Sequence, residues 1–173
     1  MEQWCLIIGN LCSLLGMGTD SLSSTRKTAN GVLWAQCASQ VIYGFGAIML
    51  KGYSGAMQNL VGLVRNLVAI KQIKSKVIEW ILVVLGVVLG VAFNNRGIMG
   101  WLPIIANLQY TLVVFRFPGN ERALKISFLI ALIMYTLFSI VLYNVLGIAA
   151  NLVTIITTII ALIKSPKKEK ENA

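Results

Sequence analysis

Residues 125–164 read KISFLIALIMYTLFSIVLYNVLGIAANLVTIITTIIALIK, and how this stretch folds decides the architecture. From Ile126 to Ile163 it is almost unbroken apolar sequence. As one helix it would be roughly 57 Å long at 1.5 Å per residue, far more than the roughly 30 Å of hydrocarbon in a bilayer. The chain must therefore turn back, and Tyr143-Asn144 is the place, where an amide side chain and the nearby Gly147 support a tight hairpin. Two spans result, 125–142 and 145–163. Working outward for runs of about 20 mostly apolar residues adds five more, at 4–22, 30–50, 53–70, 78–93 and 98–114. The expected fold is an all-α integral membrane protein with seven transmembrane helices. The first span is apolar only as far as Met17, and Thr19-Asp20-Ser21 reads as interfacial.

Composition agrees with this and narrows the function. The chain is 57% apolar and 12% charged, against about 25% charged in a soluble domain. It has no histidine, a single aspartate (Asp20) and three cysteines (Cys5, Cys12 and Cys37) in apolar surroundings. The raw materials of metal sites, of nucleophile–histidine pairs and of paired aspartates are missing, so neither an enzyme nor a cofactor is expected. The cysteines read as small apolar side chains between helices. A net charge of +9 could suggest nucleic acid, but the basic residues lie between apolar runs, without exposed aromatics among them. The lipid bilayer is the expected partner.

Seven spans divide the basic residues twelve to two. One side receives Arg26, Lys27, Lys71, Lys74, Lys76, Arg116, Arg122, Lys125, Lys164, Lys167, Lys168 and Lys170; the other receives Lys51 and Arg96. The positive-inside rule then puts the amino terminus outside and the carboxyl terminus in the cytoplasm. Glu2 and the lack of a basic leading segment argue against a cleavable signal peptide.

The chain also repeats. Trp4-Cys5-Leu6-Ile7-Ile8-Gly9-Asn10-Leu11 matches Trp101-Leu102-Pro103-Ile104-Ile105-Ala106-Asn107-Leu108 at an offset of 97, and Ala69-Ile70-Lys71 matches Leu162-Ile163-Lys164 at 93. Spans one to three thus recur as spans five to seven. Because three is odd, the fourth span is needed to give both copies the same orientation. This is a 3-1-3 arrangement of two parallel three-helix bundles: 1–76, a linker helix at 77–97, 98–164, and a charged cytoplasmic tail at 165–173. A second alignment, Asn59 to Ile70 on Asn144 to Ile155 at an offset of 85, competes with the register near 93, which pairs Gln58 with Asn151. The register near 93 is preferred.

Amides in hydrocarbon need partners, so they face a bundle interior or a wet cavity. Asn59, Gly62 and Asn66 share one stripe of the third span; Asn144, Gly147 and Asn151 share one of the seventh. With Asn10 and Asn107 they either bond helix to helix or line a polar pocket. Arg65, the one charge well inside a span, has three readings: snorkelling to the headgroups, a structural hydrogen-bond role, or contact with a substrate. Trp34, Trp80 and Trp101 read as interfacial anchors, and Trp34 alone is also placed to stack on a ligand. Gly9, Ser13 and Gly16, like Gly86 and Gly90, have the small-residue spacing of close helix packing. Asp20 and Glu79 fall at cytoplasmic helix ends, where loop solvation is expected. That leaves no carboxylate at mid-depth and favours passive facilitation over proton-driven transport.

Asn59-Leu-Val-Gly-Leu-Val-Arg65-Asn-Leu-Val-Ala-Ile-Lys71 and Gly100-Trp101-Leu-Pro103-Ile-Ile-Ala-Asn107-Leu resemble the YgjV-type family of bacterial inner-membrane proteins, which is similar to the PQ-loop and SWEET carriers. The resemblance implies the bacterial cytoplasmic membrane and a SWEET-like fold. It also implies that Asn59 or Gln58, with Asn144 or Asn151, enclose a solute, and that Trp34 gives an aromatic wall. The chain has no Pro-Gln pair, no proline in the first span and no tryptophan in the sixth, which argues against a sugar substrate and a proline hinge. The expected function is facilitated passage of a small polar solute. The rival reading is a non-transporting structural, partner-binding or lipid-binding membrane protein.

Overall fold

Each apolar run folds as a helix, and the connections stop it with recognisable capping chemistry. The computed structural model describes residues 2–73 and 75–164; the charged stretch 165–173 lies outside the described residues. Among those described the order is α1 (Gln3–Thr25), α2 (Ala29–Met49), α3 (Tyr53–Ile70), α4 (Lys76–Ala92), a short 3-10 turn (Gly97–Gly100), α5 (Trp101–Arg116), α6 (Glu121–Val141) and α7 (Val145–Lys164), with no strand. Thr28, Ser75 and Asn120 accept hydrogen bonds from Gly31, Ile78 and Ala123 and so start α2, α4 and α6. Five helices, α1, α2, α5 with its 3-10 turn, α6 and α7, are long and apolar enough to cross a membrane. The other two are α3, which carries Gln58, Asn59, Arg65 and Asn66, and α4, which has 17 residues.

The 143–144 hairpin forms as the sequence requires. Tyr143 takes a left-handed conformation (φ 55°), with Tyr143 N–H donating to Ile140 and Asn144 N–H to Ser139. Asn144 Oδ1 then accepts from Gly147 N–H at 2.8 Å to start α7. The α2–α3 turn is the same structure: Lys51 has φ 54°, its N–H donates to Ile48, and Gly52 N–H donates to Ala47. Both are Schellman motifs. They coincide at an offset of 92 residues, which aligns Asn59 with Asn151; the pairings of Gln58 with Asn151 and of Asn59 with Asn144 do not fit it.

Helix contacts close a cycle. α1, α2 and α3 pack in series, as do α5, α6 and α7; α1 meets α7, α3 meets α5, and α2 touches α6 across the middle. α4 packs on α3 and α5, where Gly90 admits Gln58 and Ile104, and leaves Val77, Trp80, Ile81, Val84 and Val88 exposed. The distribution of polarity is that of a membrane protein: large apolar side chains such as Ile98 (81% exposed) cover the outside, while serine, threonine, asparagine, glutamine and arginine side chains are buried.

Two apolar clusters lie at opposite ends of the cycle. Val32, Leu33, Tyr110, Val114 and Leu124 pack near the α1–α2 and α5–α6 connections. Leu50, Phe138 and Leu142, with Leu6 and Leu102, pack near the α2–α3 and α6–α7 turns.

Candidate functional site

Between these clusters is a cavity of about 100 Å³. At roughly 30 Å³ per water in the liquid, that is space for about three waters or a solute of a few heavy atoms. Its walls repeat the fold. From α2 and its C-cap come Gln36, Ser39, Gln40, Tyr43, Gly46, Ala47 and Leu50; from α6 and its C-cap come Phe128, Ala131, Leu132, Tyr135, Phe138, Ser139 and Leu142. Each α6 residue stands 92 positions after its α2 counterpart. Gly55 with Gly147, and Asn59 with Asn151, extend the match to α3 and α7. The equivalent walls differ in chemistry, α2 being mostly polar and α6 mostly apolar.

Of the residues singled out from the sequence, Asn59, Arg65, Asn107, Asn144 and Asn151 line the cavity. Asn59 Nδ2 donates to its own helix at Gly55 (2.9 Å), and Asn144 Nδ2 donates to Ser13 Oγ (2.7 Å). Asn151 is buried on the cavity wall, with no hydrogen bond from its side chain among the described residues. Gln58 and Asn10 do not line the cavity. Gln58 Nε2 donates to Gly86 O (2.7 Å) and its Oε1 accepts from Asn107 Nδ2 (2.8 Å), which ties α3 to α4 and α5. Asn10 Oδ1 accepts from Leu146 N–H (2.9 Å) and ties α1 to the start of α7. Asn66 lies behind Arg65, accepting from it. Trp34 is 57% exposed and on the outer face, so it gives no aromatic wall; Phe128, Tyr135, Phe138 and Tyr110 do.

Arg65 does not snorkel. It is 1% exposed, and its Nε donates to Asn66 Oδ1 (2.9 Å) and its Nη1 to Asn107 Oδ1 (2.5 Å). The Tyr110 ring covers the guanidinium at 4.5 Å. The α3 stripe that carries Arg65 is turned inward by packing on α2 and α5, so the side chain has no path along lipid.

Asp20 is the larger departure from the sequence reading. It is 3% exposed and lines the cavity, beside Ser39 and Tyr43. The reason is that α1 continues past it to Thr25 and its last turn is covered from two sides: Ser24 and Thr158 hydroxyls bond at 2.7 Å, and Ser23 Oγ donates to Val32 O at 3.2 Å. Polarity near the end of α1 thus marks helix contact, not an interface with solvent. Glu79 is also largely buried and faces Arg116 at 3.5 Å.

The α2 wall was legible in principle. Gln36, Ser39, Gln40 and Tyr43 fall at i, i+3, i+4 and i+7, one helical face, but glutamines and hydroxyls at that spacing suit a helix-packing stripe equally well. Among the described residues, three of its buried polar atoms have no hydrogen-bond partner: Gln36 Nε2, Gln40 Oε1 and Tyr43 Oη. Gln36 Oε1, by contrast, accepts from the Tyr110 hydroxyl at 2.8 Å. Unpartnered polar atoms are few in native interiors; of the six among the described residues these three share one wall of one cavity, while Ser54 Oγ, Asn66 Nδ2 and Arg96 Nε lie elsewhere. The arrangement can hold a small polar molecule between a hydrogen-bonding wall and an apolar one.

No curated protein and no solved structure matches the chain. A family model described as "Imp-YgjV: Bacterial inner membrane protein" matches residues 7–169. That match covers nearly the whole sequence, and the chain belongs to the Imp-YgjV family of bacterial inner membrane proteins.

Proposed function

We propose that this protein passes a small polar solute across the bacterial inner membrane, with the cavity between its two halves as the binding site. The observation that carries the reading is the internal symmetry of the cavity: equivalent positions of α2 and α6, and of α3 and α7, line it at a single offset of 92 residues. In this reading all seven helices span the bilayer in a SWEET-like 3-1-3 arrangement, the amino terminus is outside and the carboxyl terminus cytoplasmic, and no covalent chemistry takes place. The contacts support it, since exchanging α1 with α5 and α3 with α7 turns the α1–α7 seam into the α5–α3 seam. The apolar clusters at the two ends are the gates, and rocking one half against the other opens them in turn. The burial of Asp20 removes the sequence argument for purely passive movement.

The rival reading, a membrane protein whose amides only fasten helices, draws on Gln58, Asn107 and Asn10, which do fasten helices. Cysteine substitution at Asn59 and Asn151 in a chain lacking Cys5, Cys12 and Cys37 separates the two. The carrier is expected to react at both positions with a membrane-impermeant thiol reagent. Absence of labelling from either side overturns the proposal.

A further inference from the structure

The cavity wall carries one carboxylate and one guanidinium that do not pair. Among the described residues the ion pairs within 4.0 Å are Arg116 with Glu79 and Lys125 with Glu121; Asp20 and Arg65 are in neither. Arg65 uses Nε and Nη1 on neutral amides, and its Nη2 has no hydrogen bond among the described residues. Asp20 lies beside the hydroxyls of Ser39 and Tyr43. The two charges come from α1 and α3, which pack on α2, so the stripe with the unpartnered Gln36, Gln40 and Tyr43 atoms belongs to the helix between them. An unpaired buried charge is costly, and two of opposite sign on one cavity would neutralise each other if they met. Held apart, they leave places for a cation at Asp20 and an anion at Arg65. A singly charged ligand would satisfy one and leave the other bare.

We infer that the cavity binds a small zwitterion with an ammonium and a carboxylate group, of the free amino acid class. This rests on the carrier reading and names its substrate. The ammonium meets Asp20, Ser39 and Tyr43; the carboxylate meets Arg65 Nη2 and the Gln36 amide; the carbon skeleton lies against Phe128, Ala131 and Leu132 on α6. Uncharged sugars would leave both charges unanswered.

The test uses the purified full-length protein in lipid nanodiscs and follows its unfolding temperature, which rises with any ligand that binds the native state alone. Glycine, L-alanine, β-alanine and γ-aminobutyrate span the separations between the two charges. Ethylamine and propionate carry one charge each, and glycerol none. The expected result is a rise of several degrees with at least one zwitterion at millimolar concentration and none with the singly charged or neutral compounds. Asp20→Asn and Arg65→Gln are each expected to weaken that zwitterion at least tenfold, and the comparison within the unaltered protein stands if either variant fails to fold. A shift as large with ethylamine, propionate or glycerol, or none with any zwitterion, overturns the inference. The carrier reading falls separately, on thiol labelling at positions 59 and 151.

Discussion

Arg65 illustrates how much of this protein rests on single side chains. It donates to Asn66 and Asn107 and is capped by Tyr110. Hydrogen bonds to a charged group contribute about 1.5–3 kcal/mol each, so Arg65→Leu is expected to lower stability by about 3 kcal/mol or more. Arg65→Lys keeps the charge, lacks the planar fork, and is expected to restore about half. Denaturation of the purified protein followed by tryptophan fluorescence measures both; a neutral Leu substitution would instead fit a side chain lying along lipid. Gly46 and Gly18 make a second contrast. A Cβ at Gly46 would lie 2.9 Å from Cys12 Cβ and 3.3 Å from Gly9 O, whereas one at Gly18 meets nothing within 4 Å. Gly46→Val is expected to cost about 1–3 kcal/mol through overpacking, and Gly18→Ala to be neutral or to stabilise by about 0.5 kcal/mol. Thermal unfolding midpoints of the two variants check this.

At the scale of elements, the two matching turns are the informative feature. Lys51 and Tyr143 hold left-handed backbone that a side chain adopts at a cost of roughly 1–2 kcal/mol. Lys51→Gly and Tyr143→Gly are therefore each expected to raise stability by up to about 1 kcal/mol, read from the same unfolding curves; a loss at either site would contradict the turn geometry. The helices were legible from local sequence because hydropathy and capping act over a few residues. Apolar length sets residues 53–70 as the structure has them, and the excess length of the run 126–163, together with an amide and a glycine, places the turn at Tyr143-Asn144. The rotation of each helix was less legible. Nothing local distinguishes the Gln36–Tyr43 face of α2 from a packing stripe, and the depth of Asp20 depends on α7 covering the end of α1.

For the whole molecule, the proposed topology and gates make two further expectations. Reporter fusions at the two ends are expected to fall on opposite sides of the membrane, the carboxyl terminus with the cytoplasm; a shared compartment would remove the 3-1-3 reading. Leu50 and Leu142 occupy equivalent positions in one apolar cluster. Changing both to Ala is expected to raise thiol labelling at Asn59→Cys from the amino-terminal side several-fold without a matching rise from the other side. Equal increases on both sides would mean that this cluster is not a one-sided barrier.

The amino-acid sequence by itself determined the membrane environment and the seven helices, because these depend on apolar length; it ended the first span at 22 where α1 runs to Thr25, and began the sixth at 125 where α6 starts at Glu121. It also carried two internal matches, at offsets of 97 and 93, whereas the two matching turns stand 92 residues apart. Which charges meet water and which meet one another was decided by tertiary structure. Asp20 and Arg65 lie on different helices, 45 positions apart, and only lateral packing of α1 and α3 on α2 brings both to one cavity. The direction a helix turns its polar face is a property of its neighbours, and those are chosen by contacts distant in the chain.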